Sequence, residues 1–112
     1  MILGIGVDMV DLQRFTLTSV TPNFKNKYFS ENEASLPIQS LAGRFAAREA
    51  FYKALQNPEL FNWEDIEIIN ETNGKPKFIF YNSLKEFCST KKIHLTITHS
   101  PEFAISVVII ES

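Results

Sequence analysis

Residues 41–55, LAGRFAAREAFYKAL, read as one helix. Laid out at about 100° per residue, Leu41, Phe45, Phe51, Tyr52 and Leu55 form a broad apolar face. Arg44 and Arg48 run along one border of that face, while Glu49 and Lys53 fall on the other flank beside Ala42, Ala46 and Ala50. Little of the circumference is polar, so the helix is expected to be buried on most sides. The small alanines let another element or a ligand come close to Glu49 and Lys53. Glu before Lys at i, i+4 is also the favourable order for a helical ion pair, worth about 0.2–0.5 kcal/mol on a solvated face. The helix by itself therefore leaves a plain salt bridge and a functional pair both open.

The rest of the chain sets bounds. Its 112 residues suit one domain spanning 1–112 with a modest core. No run of about 18 apolar residues exists, which argues against a membrane span. The opening MILGIGVDMV is apolar, but it lacks a basic start and is interrupted by glycines and Asp8, unlike a signal peptide. Cys88 is the single cysteine, so neither an internal disulfide nor a thiolate zinc cluster is expected, and the cytoplasm is the expected compartment. A net charge of −2 argues against general nucleic-acid binding. The charge is uneven: residues 1–55 hold six Lys/Arg against five Asp/Glu, and residues 56–112 hold five against eight, or +1 and −3. An anionic partner would have to meet local groups such as Arg14, Lys25 and Lys27, or Arg44 and Arg48, and simple solvation accounts for such scattered charges equally well.

The expected order is strand, helix, loop, helix, strand, strand, helix, strand, strand. Met1–Met9 reads as a strand, and Asp11 can cap a short helix through Phe15 and Leu17. Residues 18–29 read as loop with Pro22 as a breaker. Ser30 and Glu33 have capping-box spacing, Pro37 ends that turn, and Ser40 can cap the long helix, which should end near Asn57 and Pro58. Glu64–Asn70 and Lys77–Tyr81 read as strands joined by a turn at Asn73-Gly74. Asn82 can cap a helix containing Leu84, Phe87 and Cys88. His94–Thr98 and Phe103–Ile110 make a last hairpin around Ser100-Pro101. The run 103–110 is apolar on nearly both faces and wants cover on both, which makes subunit packing plausible for so small a chain. The expected fold is α+β, a small antiparallel sheet packed on one long helix.

Candidate chemistry begins on the first strand, where Leu3, Ile5, Val7 and Met9 point one way and Gly4, Gly6 and Asp8 the other. That second face is bare backbone as far as Asp8. Glycines in a strand mark close approach by another backbone or a ligand. A dinucleotide fingerprint fails here, because no third glycine follows and no βαβ unit is available. Asp8 can simply cap a turn at the strand end. Fitting the glycine face onto the alanine flank of the helix, however, brings Asp8 and Glu49 to one pocket. Two carboxylates without a soft ligand suit Mg²⁺, which keeps several waters and shares its shell with substrate phosphates. Lys53, one turn beyond Glu49, would face the same phosphates. The layout is one for phosphoryl transfer, where catalysis is positioning and charge neutralisation. Asn73-Gly74-Lys75-Pro76 is either a plain hairpin turn or part of a nucleotide site, and His99 either a surface turn residue or a phosphate contact. No Ser-His-Asp order, Walker loop or HExxH is present.

Four blocks, GIGVDMVDLQRF, LAGRFAAREAFYKAL, NGKP and TITHSPEFAISVVI, occur in an order that resembles the holo-(acyl carrier protein) synthase family, the small bacterial type of 4′-phosphopantetheinyl transferase. The first two are the specific ones, and together the four span nearly the whole chain. The resemblance implies transfer of 4′-phosphopantetheine from coenzyme A to a serine of acyl carrier protein, converting apo to holo carrier for fatty acid synthesis. By the family's pattern Asp8 and Glu49 bind Mg²⁺ and Lys53 neutralises charge at the pyrophosphate. Arg44 and His99 lie near the nucleotide phosphates, Asn73, Gly74, Lys75 and Pro76 form the adenine-side loop, and Arg14 meets the acidic carrier. The family implies a homotrimer with sites between subunits.

Two departures stand out: Arg48 occupies a position where the family usually has lysine, and the segment between Ser30 and Leu41 is shorter than usual, so no carrier contact is assigned there. Two other readings fit the same residues. One is a Mg²⁺-dependent hydrolase of a nucleotide pyrophosphate; the other is a module that binds carrier proteins without catalysis.

Overall fold

The computed structural model describes residues 1–19 and 21–112. Strand β1 (Ile2–Asp11) leads into helix α1 (Leu12–Ser19), and the short helices α2 (Pro22–Tyr28) and α3 (Glu31–Ala34) precede the long helix α4 (Ile38–Ala54). After two 3-10 turns come strands β2 (Ile66–Asn70) and β3 (Pro76–Phe80), helix α5 (Asn82–Cys88), and strands β4 (Lys92–His99) and β5 (Phe103–Glu111). The expected antiparallel α+β architecture is present, with its strands divided between two sheets: β1-β5-β4 and the hairpin β2-β3.

Local chemistry explains most boundaries. Asp11 Oδ1 accepts the Arg14 amide at 3.0 Å, the cap expected for α1. Ser30 and Glu33 form the expected capping box of α3. Three expectations are corrected. Of residues 18–29, read as loop, 18–19 close α1 and 22–28 are helical, while residue 20 lies outside the described residues. Pro22 occupies the first helical position, where its fixed φ and missing N–H suit a helix start, and Thr21 Oγ1 accepts the Phe24 amide at 3.3 Å. Ser40 does not cap α4: the helix begins at Ile38 after Pro37, which puts Ser40 inside its first turn. Asn82 does not cap α5 either, since Tyr81 takes the cap position and the Asn82 side chain donates to Asp65 Oδ1 at 2.7 Å.

The contact that organises the molecule is α4 lying against β1. An added Cβ at Gly4 would stand 1.8 Å from the Ala54 carbonyl oxygen, and one at Gly6 would stand 1.8 Å from that of Ala50. Only hydrogen on the strand permits so close an approach. Ala47, Phe51, Ile68, Leu84, Val108 and Ile110 pack the larger core on this side of the sheet. Phe51, wholly buried, contributes roughly 1.5–3 kcal/mol by removal from water. A second core joins Val10, Leu12, Phe15, Phe29, Leu41 and Ala104.

Among the described residues nothing covers the other face of the three-stranded sheet. Register pairs Ile5 with Ile109, Val7 with Val107 and Met9 with Ile105. Ile5, Val7 and Met9 are 64%, 54% and 60% exposed. The two-sided apolar character of β5 thus corresponds to a core on one side and an uncovered apolar surface on the other.

Candidate active site

Strand β1 and helix α4 run past one another in register. Two residues of strand advance about 6.7 Å and one helical turn about 5.4 Å. Gly4 lies over Ala54 and Gly6 over Ala50, so the next inward residue of the strand, Asp8, falls beside the turn of α4 that carries Glu49. Asp8 and Glu49 line one cavity of about 400 Å³, with Asp11, Arg14, Phe15 and Phe45 among its walls.

The electrostatics of this pair is unbalanced. Burial pushes the Glu49 carboxyl above the usual carboxylate range, the Asp8 charge pushes it further, and Lys53 offsets part of the rise. Lys53 Nζ donates to Asp8 Oδ1 at 3.1 Å and to the Val7 carbonyl at 3.1 Å. Among the described residues no ion pair joins Lys53 to Glu49, so the simple i, i+4 bridge is replaced by a link from helix to strand. Two acids share a site with one half-exposed ammonium, and among the described residues no cluster of three or more His, Cys, Asp or Glu stands ready to enclose a metal. That donor set fits a hard divalent cation held by two carboxylates, with water and substrate oxygens completing its shell.

A second cavity, of about 170 Å³, collects Arg44, Gly74, Pro76 and His99 with Ser40 and Asn70. Four residues singled out by sequence meet here although they come from α4, the β2–β3 turn and the end of β4. Asn73 and Lys75 do not line it; the Asn73 side chain instead accepts the Lys75 amide at 3.0 Å, stabilising the turn. Ser40, Gly43, Asn70 and Ile97 were not anticipated. Gly43 offered the only signal, as a small residue on an otherwise bulky helix: a Cβ there would stand 2.9 Å from Ile97 Cγ2.

Arg48 does not form a surface patch with Arg44. It is wholly buried and bonded to Glu33, because a charge on the inward side of α4 needs an ionic partner to be tolerated there. Arg14 is exposed at the rim of the first cavity. Arg44 and Glu49 are five residues apart on α4, about 140° around the axis, and the two cavities share no lining residue.

A family model described as the 4′-phosphopantetheinyl transferase superfamily matches residues 4–108. The chain belongs to that superfamily. This phosphopantetheinyl transferase is 39% identical over 115 residues to the holo-(acyl-carrier-protein) synthase of Leifsonia xyli subsp. xyli, covering 99% of the chain and 98% of the relative. Its fold matches a crystal structure of a holo-(acyl-carrier-protein) synthase from Bacillus anthracis in complex with CoA (3′,5′-ADP), with a TM-score of 0.83, 34% identity and coverage of 100% and 98%. The synthase from Neisseria meningitidis superposes with a TM-score of 0.87 at 27% identity, each chain covered fully. The span matched by the family model, residues 4–108, contains every residue lining the two cavities.

Proposed function

We propose that Asp8, Glu49 and Lys53 form the centre at which this single-domain transferase passes the 4′-phosphopantetheine group of coenzyme A to a serine hydroxyl of acyl carrier protein. The single observation that carries the assignment is the placement of Asp8 and Glu49 on one cavity, with Lys53 bonded to Asp8. The serine oxygen forms a bond to the β-phosphorus, the pyrophosphate bridge breaks, and adenosine 3′,5′-bisphosphate leaves.

Asp8 and Glu49 would hold Mg²⁺, which supplies positive charge against the pyrophosphate oxygens when bound. Lys53, fixed by Asp8 and the Val7 carbonyl, adds a cation where charge develops on the departing phosphate. Glu49, with its carboxyl pushed up by burial, is the chain's own candidate to accept the serine proton. Arg44 and His99 meet the nucleotide phosphates, and the turn Asn73, Gly74, Lys75 and Pro76 meets the adenine side. Arg14, exposed beside the first cavity, receives the acidic carrier.

The active assembly in this reading is a homotrimer. Its support is twofold: the uncovered apolar face formed by β1 and β5, and the separation of the two cavities on one chain. In this reading copies pack through the sheet face, and the first cavity of one subunit joins the second cavity of its neighbour.

The test is the mass gain of apo carrier incubated with coenzyme A, before and after chelation of divalent cations, with wild type and Glu49→Gln. The expected result is a phosphopantetheine increment that chelation and Glu49→Gln each abolish. Bisphosphate release at the same rate without carrier would instead establish a hydrolase. Full activity of Glu49→Gln would falsify the carboxylate assignment.

A further inference from the structure

Behind the nucleotide-side cavity Arg44 belongs to a buried charge cluster whose other two members, Glu33 and Arg48, do not line that cavity. Glu33 of α3 is 1% exposed, Arg48 is 0% exposed and Arg44 is 8% exposed. Two guanidinium groups thus share one carboxylate, and they share it unequally. Arg48 takes both oxygens: Nη1 donates to Glu33 Oε2 at 3.2 Å and Nη2 donates to Glu33 Oε1. Arg48 Nη2 also donates to the Ile66 carbonyl at 2.7 Å. Arg44 holds the looser share, with Nε 3.6 Å from Glu33 Oε2. Its other tethers are the Ile68 carbonyl, 3.3 Å from Nε, and Asn70 Oδ1, 3.5 Å from Nη2.

This division has a consequence for charge. A bidentate carboxylate occupies the fork of an arginine and cancels its field. Here that fork belongs to Arg48, which is sealed from the cavity. Arg44 is guided from behind by one carboxylate oxygen, a carbonyl and an amide oxygen, and Nη1 has no partner among the described residues. Arg44 lines the cavity with His99 and Gly74. It is therefore oriented without being neutralised.

We propose that Glu33 is a positioning residue for coenzyme A, holding Arg44 against the nucleotide-side cavity while Arg48 absorbs most of the carboxylate's charge. The inference rests on the reading that Arg44 meets the nucleotide phosphates, and deepens it by assigning a task to the short segment before α4. The Ser30–Glu33 capping box sets the direction from which the carboxylate enters.

The experiment is a cycle of Glu33→Gln, Arg44→Gln and the double variant in the full chain, reading kcat and KM for coenzyme A and for carrier. Glu33→Gln should raise the KM for coenzyme A about fivefold to tenfold and leave kcat and the carrier KM within about twofold, the pattern of lost ground-state positioning. Added to Arg44→Gln, it should change the KM for coenzyme A less than about twofold, because its effect passes through Arg44. Since Glu33→Gln strips Arg48 of a buried partner, Glu33→Asp serves as well if the first variant does not fold. It keeps the charge but is one methylene too short to reach both arginines, and the same pattern is expected. A fall in kcat with both KM values shifted alike, or effects that multiply in the double variant, would reduce Glu33 to a structural role and overturn the proposal. If Arg44→Gln alone left the KM for coenzyme A unchanged, the underlying reading of Arg44 would fall as well. If Arg44→Gln raised it and neither Glu33 variant did, only the positioning role would fall.

Discussion

Lys53 Nζ stands 3.1 Å from Asp8 Oδ1, tying helix α4 to a residue of β1 forty-five positions away in the chain. The Lys53 side chain is 50% exposed, so the pair is screened and worth about 0–1 kcal/mol to stability. In the proposed reading its importance lies in where it puts a cation. Lys53→Met is expected to slow carrier modification by about 10²–10³-fold, the range seen when a fixed electrostatic stabiliser is removed. The melting temperature should move by only a few degrees. Carrier mass gain and calorimetry measure the two effects, and a variant with wild-type rate would remove Lys53 from the reaction.

The thin contact between β1 and α4 makes a second prediction. Gly6→Ala places a methyl 1.8 Å from the Ala50 carbonyl oxygen, so strand and helix must separate. Overpacking of this kind costs about 1–3 kcal/mol, which is roughly 4–8 °C per kcal/mol for a domain near this size. Activity should fall too, because Asp8 lies two residues further along the displaced strand. Gly74→Ala is the control for stability: Gly74 has φ +87° but no described neighbour within 4 Å, so it should cost about 1–2 kcal/mol through backbone conformation alone.

The open face of the sheet can be tested by a charge. Ile5 is 64% exposed and central to the apolar surface. Ile5→Asp should leave the monomer folded, since the side chain is exposed on its own chain, and convert the proposed trimer to monomers in light scattering. Transfer activity should fall with it. An active monomer would show that one chain completes the site.

Arg14→Glu reverses a charge at the rim of the first cavity. Rim charges act through encounter with an oppositely charged partner and are screened by salt. The variant should raise the KM for carrier about tenfold at low ionic strength, less in high salt, and leave the KM for coenzyme A unchanged. Steady-state kinetics at two salt concentrations decides this.

Burial in the larger core raises the Cys88 thiol to about 11. The folded chain then holds that proton more tightly than the unfolded one, so stability falls as pH climbs from about 9 toward 11. Cys88→Ala should flatten this part of the stability profile. At pH 8 an alkylating reagent should label the native chain far more slowly than the denatured one, read by mass.

Features that depend on near neighbours were legible in the sequence. The Ser30–Glu33 capping box, the Asn73-Gly74 turn, the Asp11 cap and the alternation of Gly4, Gly6 and Asp8 are each set within a few residues. The match of a glycine face to an alanine flank could be read as well, because missing side chains announce close approach. Pro22 misled, since the same fixed φ that breaks a helix interior also starts one, and the sequence alone does not say which applies.

What the sequence determined by itself was that Gly4, Gly6 and Asp8 share the inward face of β1, and hence that two acids could meet across a thin contact; Leu3, which alternation grouped with Ile5, Val7 and Met9, packs instead against the core, because the pairing is irregular between Ile2 and Gly4. What only the tertiary structure decided was the choice of partner. Lys53 turned to Asp8 rather than Glu49, and Arg48 left the surface to claim Glu33. Periodicity sets direction around a helix or across a strand, whereas long charged side chains settle according to distances between segments far apart in the chain, which exist only once the core has closed.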